Sequence, residues 1–495
     1  MYNGSVVGNV KDPSDAAVAG AVVTATHRET GQSRQAVTSD VGGFSFPTLQ
    51  AGDYELRVSR DGFRTSTTEV TVTINSIVRA DVSLQLGAVA ESVQVTAAAL
   101  LQTDRSEVRA EMTARRFQNL PVPVGRNYQN LLRVLPGFRP PSNAHSVPTN
   151  PSRALTYNVN GVSQSINNVR IDGARSNAPW LPHITSFVPT LEAIDTVNVV
   201  TNSFDAEQGL AGGAAVNVQI RSGGNDFHGS AFEYHTNHRL KAKPWILPQG
   251  RQKPKLVNNE FGGTLGGPIV RDKAFFFVSY EGTPNREFAS RLGTVPTPLQ
   301  KVGNLTESTT PIYDPMTGNR DGAGRSPFAG NIVPAARISR ITRKLVDLTP
   351  NPNVVGAGFT NKFFAGDSYL FDRHRADTKL NWNPSSKLSM FGRYSILNYD
   401  MTNPQMFGEL GGPEVSGAGG NPARPLEGRI ALLGPPLTSS PQTSSWTHIT
   451  VTPWPTRRWN KRAWTRSWAW TFLASPEPTA RGGSREVGLR LPLVF

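Results

Sequence analysis

The chain of 495 residues contains no cysteine. Disulfide frameworks, iron–sulfur clusters, thiolate zinc sites and cysteine nucleophiles are therefore excluded. No apolar run is long enough for a transmembrane helix, which needs about 18 residues or more. That absence leaves membrane strands open, because barrel strands are short and alternate. After Met1 comes Tyr-Asn-Gly-Ser-Val-Val, with neither a basic nor an apolar export region, so an exported protein would start upstream of this Met1. No Gly-x4-Gly-Lys-Ser/Thr phosphate loop and no Gly-x-Ser-x-Gly elbow occurs. The eight histidines are scattered. His235 and His238 lie three apart beside Glu233, and on a strand they face opposite sides, which does not suit a metal. Asp205 and Glu207 sit in a glycine-rich segment that suits loop contacts better than catalysis. No enzyme activity, no metal and no cofactor is expected.

Turn formers are abundant, with 46 Gly and 38 Pro. The net charge is +14. Residues 429–495 alone hold nine basic and two acidic residues, a surplus of seven, so the charge is no argument for nucleic acid as a partner. The most telling stretch is 258–282, NNEFGGTLGGPIVRDKAFFFVSYEG. Gly267-Pro268 reads as a sharp turn signal, Arg271-Asp272-Lys273 as a charged tip, and Ala274–Tyr280 as an aromatic strand. Two such strands suit the wall of a β-barrel whose aromatics face lipid.

Residues 3–86 predict a β-sandwich. Seven alternating segments recur (Ser5–Val10, Ala21–His27, Ser33–Thr38, Gly43–Pro47, Tyr54–Ser59, Arg64–Ile74, Ile77–Leu86), with turn residues between them. Residues 87–104 form a linker containing Glu91, Ser92, Val93, Gln94, Val95, Thr96 and Ala97. That short β-prone piece suits either a last sandwich strand or a bare linker, or else a peptide that adds a strand to a partner's sheet. Residues 105–224 read as a mixed α/β unit. Helices are expected at Thr113–Leu120, with Thr113 as N-cap, and at Asn127–Leu135. Strands are expected at Tyr157–Val162, Val169–Ile171, Ile194–Thr201 and Ala215–Arg221, with a tight hairpin at Asp172-Gly173.

From residue 225 to 428 the pattern is that of an incomplete antiparallel transmembrane β-barrel. His374–Asn383 and Lys387–Ile396 form its clearest hairpin, and Thr283–Thr360 forms a long polar loop. Residues 429–495 are atypical. Six of the nine tryptophans fall between Trp446 and Trp470. A basic Trp-rich membrane-active or nucleic-acid segment is one reading; out-of-frame translation of a GC-rich gene is the preferred one.

Three groups of motifs resemble a known family. GSVVGNVKDPSDAAVAGAVVTA, TSDVGGFSFPTLQAGDYELRVSRDGF and VRADVSLQLG resemble the carboxypeptidase-regulatory-like domain, a transthyretin-like or starch-binding-like sandwich. Residues 91–97 resemble the TonB box. FQNLPVPVGRNYQNLLRVLPG, YNVNGVSQSINNVRIDGARSN and the segment LEAIDTVNVV to SGGNDFHGS resemble the plug of TonB-dependent outer-membrane receptors of the Oar-like subgroup. The resemblance implies an outer-membrane location, TonB as energy-coupling partner, contact with outer-membrane lipid and uptake of a scarce ligand that the sequence does not name. Family barrels have about 22 strands, whereas residues 225–428 suffice for about six to eight, so a truncated or frameshifted transporter is expected. The alternatives are a surface carbohydrate-binding or adhesion protein using residues 3–86 to hold a glycan, and a non-functional fragment.

Overall fold

The computed structural model describes residues 4–74, 76–87, 92–95, 108–114, 116, 120, 122, 125–139, 154–178, 181–185, 187–204, 208–209, 211–243, 253–355, 360–385, 388–415 and 426–434. The fold is mainly β, in three sheet systems: a sandwich, an inner sheet and a curved wall.

The sandwich strands are β1 (Gly4–Lys11), β2 (Val22–His27), β3 (Ser33–Val37), β4 (Gly43–Leu49), β5 (Gly52–Ser59), β6 (Thr65–Val72), β7 (Ile77–Arg79) and β8 (Val82–Ser83). One sheet has the order β4-β1-β7, with β8 also on β1; the other runs β3-β2-β5-β6. Alternation turns Val6, Val10, Val23, Phe44, Phe46, Leu56 and Val58 into one core. The expected last strand, Ile77–Leu86, is split into β7 and β8, both parallel to β1. The break has a cause: the Asp81 carboxylate accepts the Asn9 N–H at 2.9 Å, where a backbone carbonyl would otherwise stand. Gly8 leaves no room for a side chain there, since a Cβ would lie 2.0 Å from the Ala80 carbonyl oxygen. A further strand, β9 (Ser92–Val95), pairs in parallel with β6 and ends the second sheet.

The inner unit contains β10 (Val108–Thr113), β11 (Asn168–Ile171), β12 (Ala174–Arg175), β13 (Asn177–Ala178), β14 (Leu181–Thr185), β15 (Ile194–Asn202) and β16 (Ala215–Ile220). Its main sheet has the order β10-β15-β16-β11-β12. Thr113 closes β10, paired with β15, and the residues directly after it, Ala114 and Arg116, are helical, with the Leu120 N–H bonded to the Arg116 carbonyl. The residues expected to continue that helix lie largely outside those described. Tyr128–Val134 is a 3-10 helix rather than an α-helix, with the Asn127 side chain accepting from Gln129 N–H. Tyr157–Val162 forms isolated bridges at Val159 and not a strand. Asp172 (φ 47°) and Gly173 (φ 79°) make the expected hairpin turn between β11 and β12, both in the left-handed region that such a turn requires.

The wall is a meander of β17 (His228–Asn237), β18 (Leu256–Val270), β19 (Ala274–Gly293), β20 (Phe363–Ser385), β21 (Leu388–Thr402) and β22 (Leu426–Gly434), each antiparallel to the next. The 258–282 hairpin forms, but Gly267-Pro268 stays within β18 beside a register shift, and Arg271–Lys273 alone makes the turn. Phe261 pairs with Gly282 and lays its ring over it, which is what the glycines among the aromatics permit. Residues 283–293 are strand, not loop, because they pair with 363–373. The connection is therefore 294–362, carrying short helices at Pro298–Lys301 and Arg340–Leu348. Among the described residues β17 and β22 do not pair, so the wall is an open sheet. β22 crosses residue 428, where the composition shifts; residues 435–495 lie outside those described.

Short turns and long connections lie at opposite ends of the wall. The sandwich meets the short-turn end: Gln32 Nε2 donates to the Ser385 carbonyl at 3.3 Å, and Asn225 bridges the Glu29 carbonyl and the Asp272 carboxylate.

Candidate functional site

Along β20 from residue 373 to 383 the buried positions are Arg373, Arg375, Asp377, Lys379, Asn381 and Asn383, following the buried Ala365, Tyr369 and Phe371, while Leu380 and Trp382 are about half exposed between them. β18 and β19 likewise expose Phe261, Leu265 and Tyr280 on the face away from the inner unit. Along this stretch the wall buries charged side chains and exposes apolar ones, while Phe275, Phe277, Tyr369 and Phe371 are buried on the same inner face. That polarity suits a wall with lipid outside and a polar lumen.

The buried charges hold the inner unit. Lys379 Nζ donates to Asp172 Oδ1 at 3.2 Å and to the Ile220 carbonyl at 2.8 Å. Asp172 is held ready by the Ile220 N–H at 3.0 Å, so one hairpin carboxylate ties β11, β16 and the wall together. Arg375 donates Nε to Glu281 at 2.9 Å and Nη1 to the Val188 carbonyl at 2.9 Å. Arg373 reaches the same carboxylate at 3.7 Å. Arg393 donates to Asp377 at 2.8 Å and lies 3.8 Å from Asp172. Glu260 accepts the Gly125 N–H, and the Arg126 guanidinium stacks 4.0 Å from the Tyr234 ring centroid while pairing with Glu192. Removing one partner of such pairs leaves a buried charge uncompensated. Displacing the whole inner unit does not: water entering the gap would hydrate both polar surfaces. A polar seam is therefore firm at rest and separable as a unit.

A cavity of about 400 Å³ lies where sandwich, inner unit and wall meet. Glu29, Asp53, Glu111 and Asp195 line it, with His27, Arg221 and His228. Burial, reinforced by the Asp195 charge, pushes the Glu29 carboxyl above the usual range. Burial does the same to Glu111 and to Asp195. His27 is displaced the other way, its charged form disfavoured by burial.

Of the TonB-box-like residues, Ser92, Val93, Gln94 and Val95 are the strand β9; Glu91, Thr96 and Ala97 lie outside the described residues. β9 has β6 on one side and, among the described residues, no strand on the other. Asp205 and Glu207 also lie outside. His235 bonds Asn259 and His238 the Leu256 carbonyl. Among the described residues no group of His, Asp and Glu is arranged to hold a metal ion. The gripping residues were missed by sequence reasoning, although the charges at alternate positions 373, 375, 377 and 379 mark one face of the strand as polar.

Two family descriptions match the chain: "Outer membrane beta barrel domain" over residues 219–443, and "Carboxypeptidase regulatory-like domain" over residues 5–85. A curated relative, the TonB-dependent transporter Oar of Myxococcus xanthus, is 27% identical over 291 residues, covering 56% of this chain and 26% of the relative. The chain thus spans about a quarter of that relative's length. Among solved structures, a ferric enterobactin receptor mutant of Pseudomonas aeruginosa in complex with enterobactin is similar at 14% identity and TM-score 0.32, covering 61% of this chain and 34% of the receptor. The siderophore receptor PirA of Acinetobacter baumannii is similar at 14% identity and TM-score 0.31, covering 66% and 44%.

Proposed function

We propose a function for a chain that is an outer-membrane homologue of the Oar-type TonB-dependent receptors, with their carboxypeptidase regulatory-like domain and barrel sequence: it takes part in energy-coupled uptake of an extracellular ligand through the wall. The observation that carries this reading is the polar seam, in which Lys379 and Arg375 of the wall meet Asp172, Val188 and Ile220 of the inner unit. Such a seam lets the inner unit act as a plug that leaves and returns. The segment Glu91–Ala97 is the TonB contact in this reading. What supports it is that β9 ends its sheet among the described residues, so a partner strand could join that edge without dismantling the sandwich. The ligand is received at the long-connection end, opposite the sandwich.

The test is capture of the full chain by an immobilised TonB C-terminal domain. Binding is expected, and Val93→Pro, which removes a ladder N–H, is expected to abolish it while leaving β-sheet circular dichroism unchanged. No capture of the parent chain, or equal capture of the proline variant, removes the coupling role.

A further inference from the structure

The outer face of the wall changes character toward its far end. From Ala274 to Arg286 the chain advances twelve residues along β19. At about 3.3 Å per residue and a tilt of about 40°, that is roughly 30 Å along the membrane normal, just beyond an apolar band about 25 Å tall. Within this distance the outward side chains include Phe261, Leu265, Tyr280, Leu380 and Trp382. Beyond it lies a groove of about 870 Å³ lined by the chain at 253–257 and by β19 and β20, with Phe288, Ser290, Leu292, Phe364, Ser368 and Leu370 at their outward positions.

The groove has two chemistries. Phe288, Leu292, Phe364 and Leu370 supply apolar surface. Lys253, Lys255, Arg286 and Arg291 supply cations, against one lining carboxylate, Glu287. Arg286 is neutralised by a two-point pair with Asp372. Among the described residues the other three cations have no carboxylate partner: Lys253 donates to the Lys241 carbonyl at 2.5 Å and Arg291 to the Glu414 carbonyl at 3.3 Å. Backbone carbonyls orient these groups without cancelling their charge.

The geometry points to a binding site for the phosphorylated sugar headgroup of an outer-leaflet glycolipid, lipopolysaccharide, with Lys253 and Lys255 meeting its phosphates and the two phenylalanines covering its sugar faces. Three observations agree on that occupant. The site lies on the face turned away from the plug. It begins where an apolar band ends, at headgroup level. Its surplus charge is positive, and lysine ammonium groups bind phosphate as point charges. The inference rests on the outer-membrane location and not on TonB coupling.

The test uses the full chain in detergent with added lipopolysaccharide. Binding is expected to weaken with salt. The double variant Lys253→Gln/Lys255→Gln is expected to bind about thirtyfold more weakly, at about 1 kcal/mol or roughly fivefold per lysine. Leu292→Ser, which leaves the charge alone, is expected to weaken it as well. Dephosphorylated lipopolysaccharide should bind poorly, and inorganic phosphate should not displace the intact lipid. Parental affinity in the double variant with unchanged circular dichroism would overturn the proposal. So would equal binding of the dephosphorylated lipid, or displacement by inorganic phosphate at equal concentration, which would make this a free-phosphate site. TonB capture is read separately, so failure of one assay leaves the other standing.

Discussion

The sandwich and the wall are built on the same two-residue alternation with opposite polarity. In β5 the buried residues are Tyr54, Leu56 and Val58, and Glu55 and Arg57 face out. In the stretch 373–382 of β20 the buried residues include Arg375, Asp377 and Lys379, and Leu380 and Trp382 face out. Strand geometry is the same in both; the surroundings differ. One sheet hides hydrocarbon from water, and the other turns hydrocarbon to lipid and closes its charges against the plug. An alternation in sequence therefore states that a strand has two faces. Which face is inside follows from what lies on each side.

Substitutions that respect this difference should have ranked effects. The largest is expected for Glu281→Ala, which removes the one buried carboxylate that Arg373 and Arg375 share. Loss of about 3–5 kcal/mol is expected, read as a shift in the denaturant midpoint of plug release; no shift would mean the seam is already hydrated. Leu56→Ala, a cavity in the sandwich core, should cost about 2–5 kcal/mol in unfolding of that domain and leave the seam untouched. If Leu56→Ala also loosened the plug, the two regions would not be separately stabilised.

A pH titration probes where they meet. Glu29, Glu111 and Asp195 have carboxyls raised by burial, so the docked state holds more protons than the undocked one between the ordinary values of 3.8 to 4.5 and the raised ones. Docking of the sandwich should be strongest below that window and weaken as pH rises through it. Protease cleavage of the linker, followed against pH, reads this, and Asp195→Asn should flatten the profile. His27 works oppositely: its lowered value means stability is lost as pH falls through it, limiting the gain at the acid end. Docking that tightens as pH rises through the carboxylate window would contradict the assignment. The smallest effect is expected for Arg28→Ala, since its pair with Glu69 is about half exposed on both sides; a change below about 1 kcal/mol is expected in sandwich unfolding.

Local signals were legible wherever the answer is local. Asp172-Gly173 declared a hairpin because two consecutive left-handed residues need those side chains. The 258–282 hairpin declared itself through a charged tip between alternating strands. At Thr113 two signals meet: β15, a partner strand far along the chain, fixes it as the end of β10, while Ala114 and Arg116 just after it take up the helix that the local sequence announces. Residues 283–293 were too polar to read as strand, since β19 there runs beyond the apolar band and its pairing with β20 supplies the order. Of the functional seam, the charges were visible and their partners were not: Lys379 and Asp172 are 207 residues apart, and nothing local joins them.

The most direct measurement is a spin-label scan along β20, straightforward because the chain has no cysteine of its own. Single cysteines at Thr378, Leu380 and Trp382 alternate with others at Asp377, Lys379 and Asn381, in chain reconstituted into lipid. Labels at 378, 380 and 382 should collide with oxygen dissolved in the bilayer and be shielded from a water-soluble nickel chelate, while the odd positions are shielded from both. Chelate access at the even positions, or oxygen access at the odd ones, would contradict a wall that faces lipid on one side and grips a plug on the other.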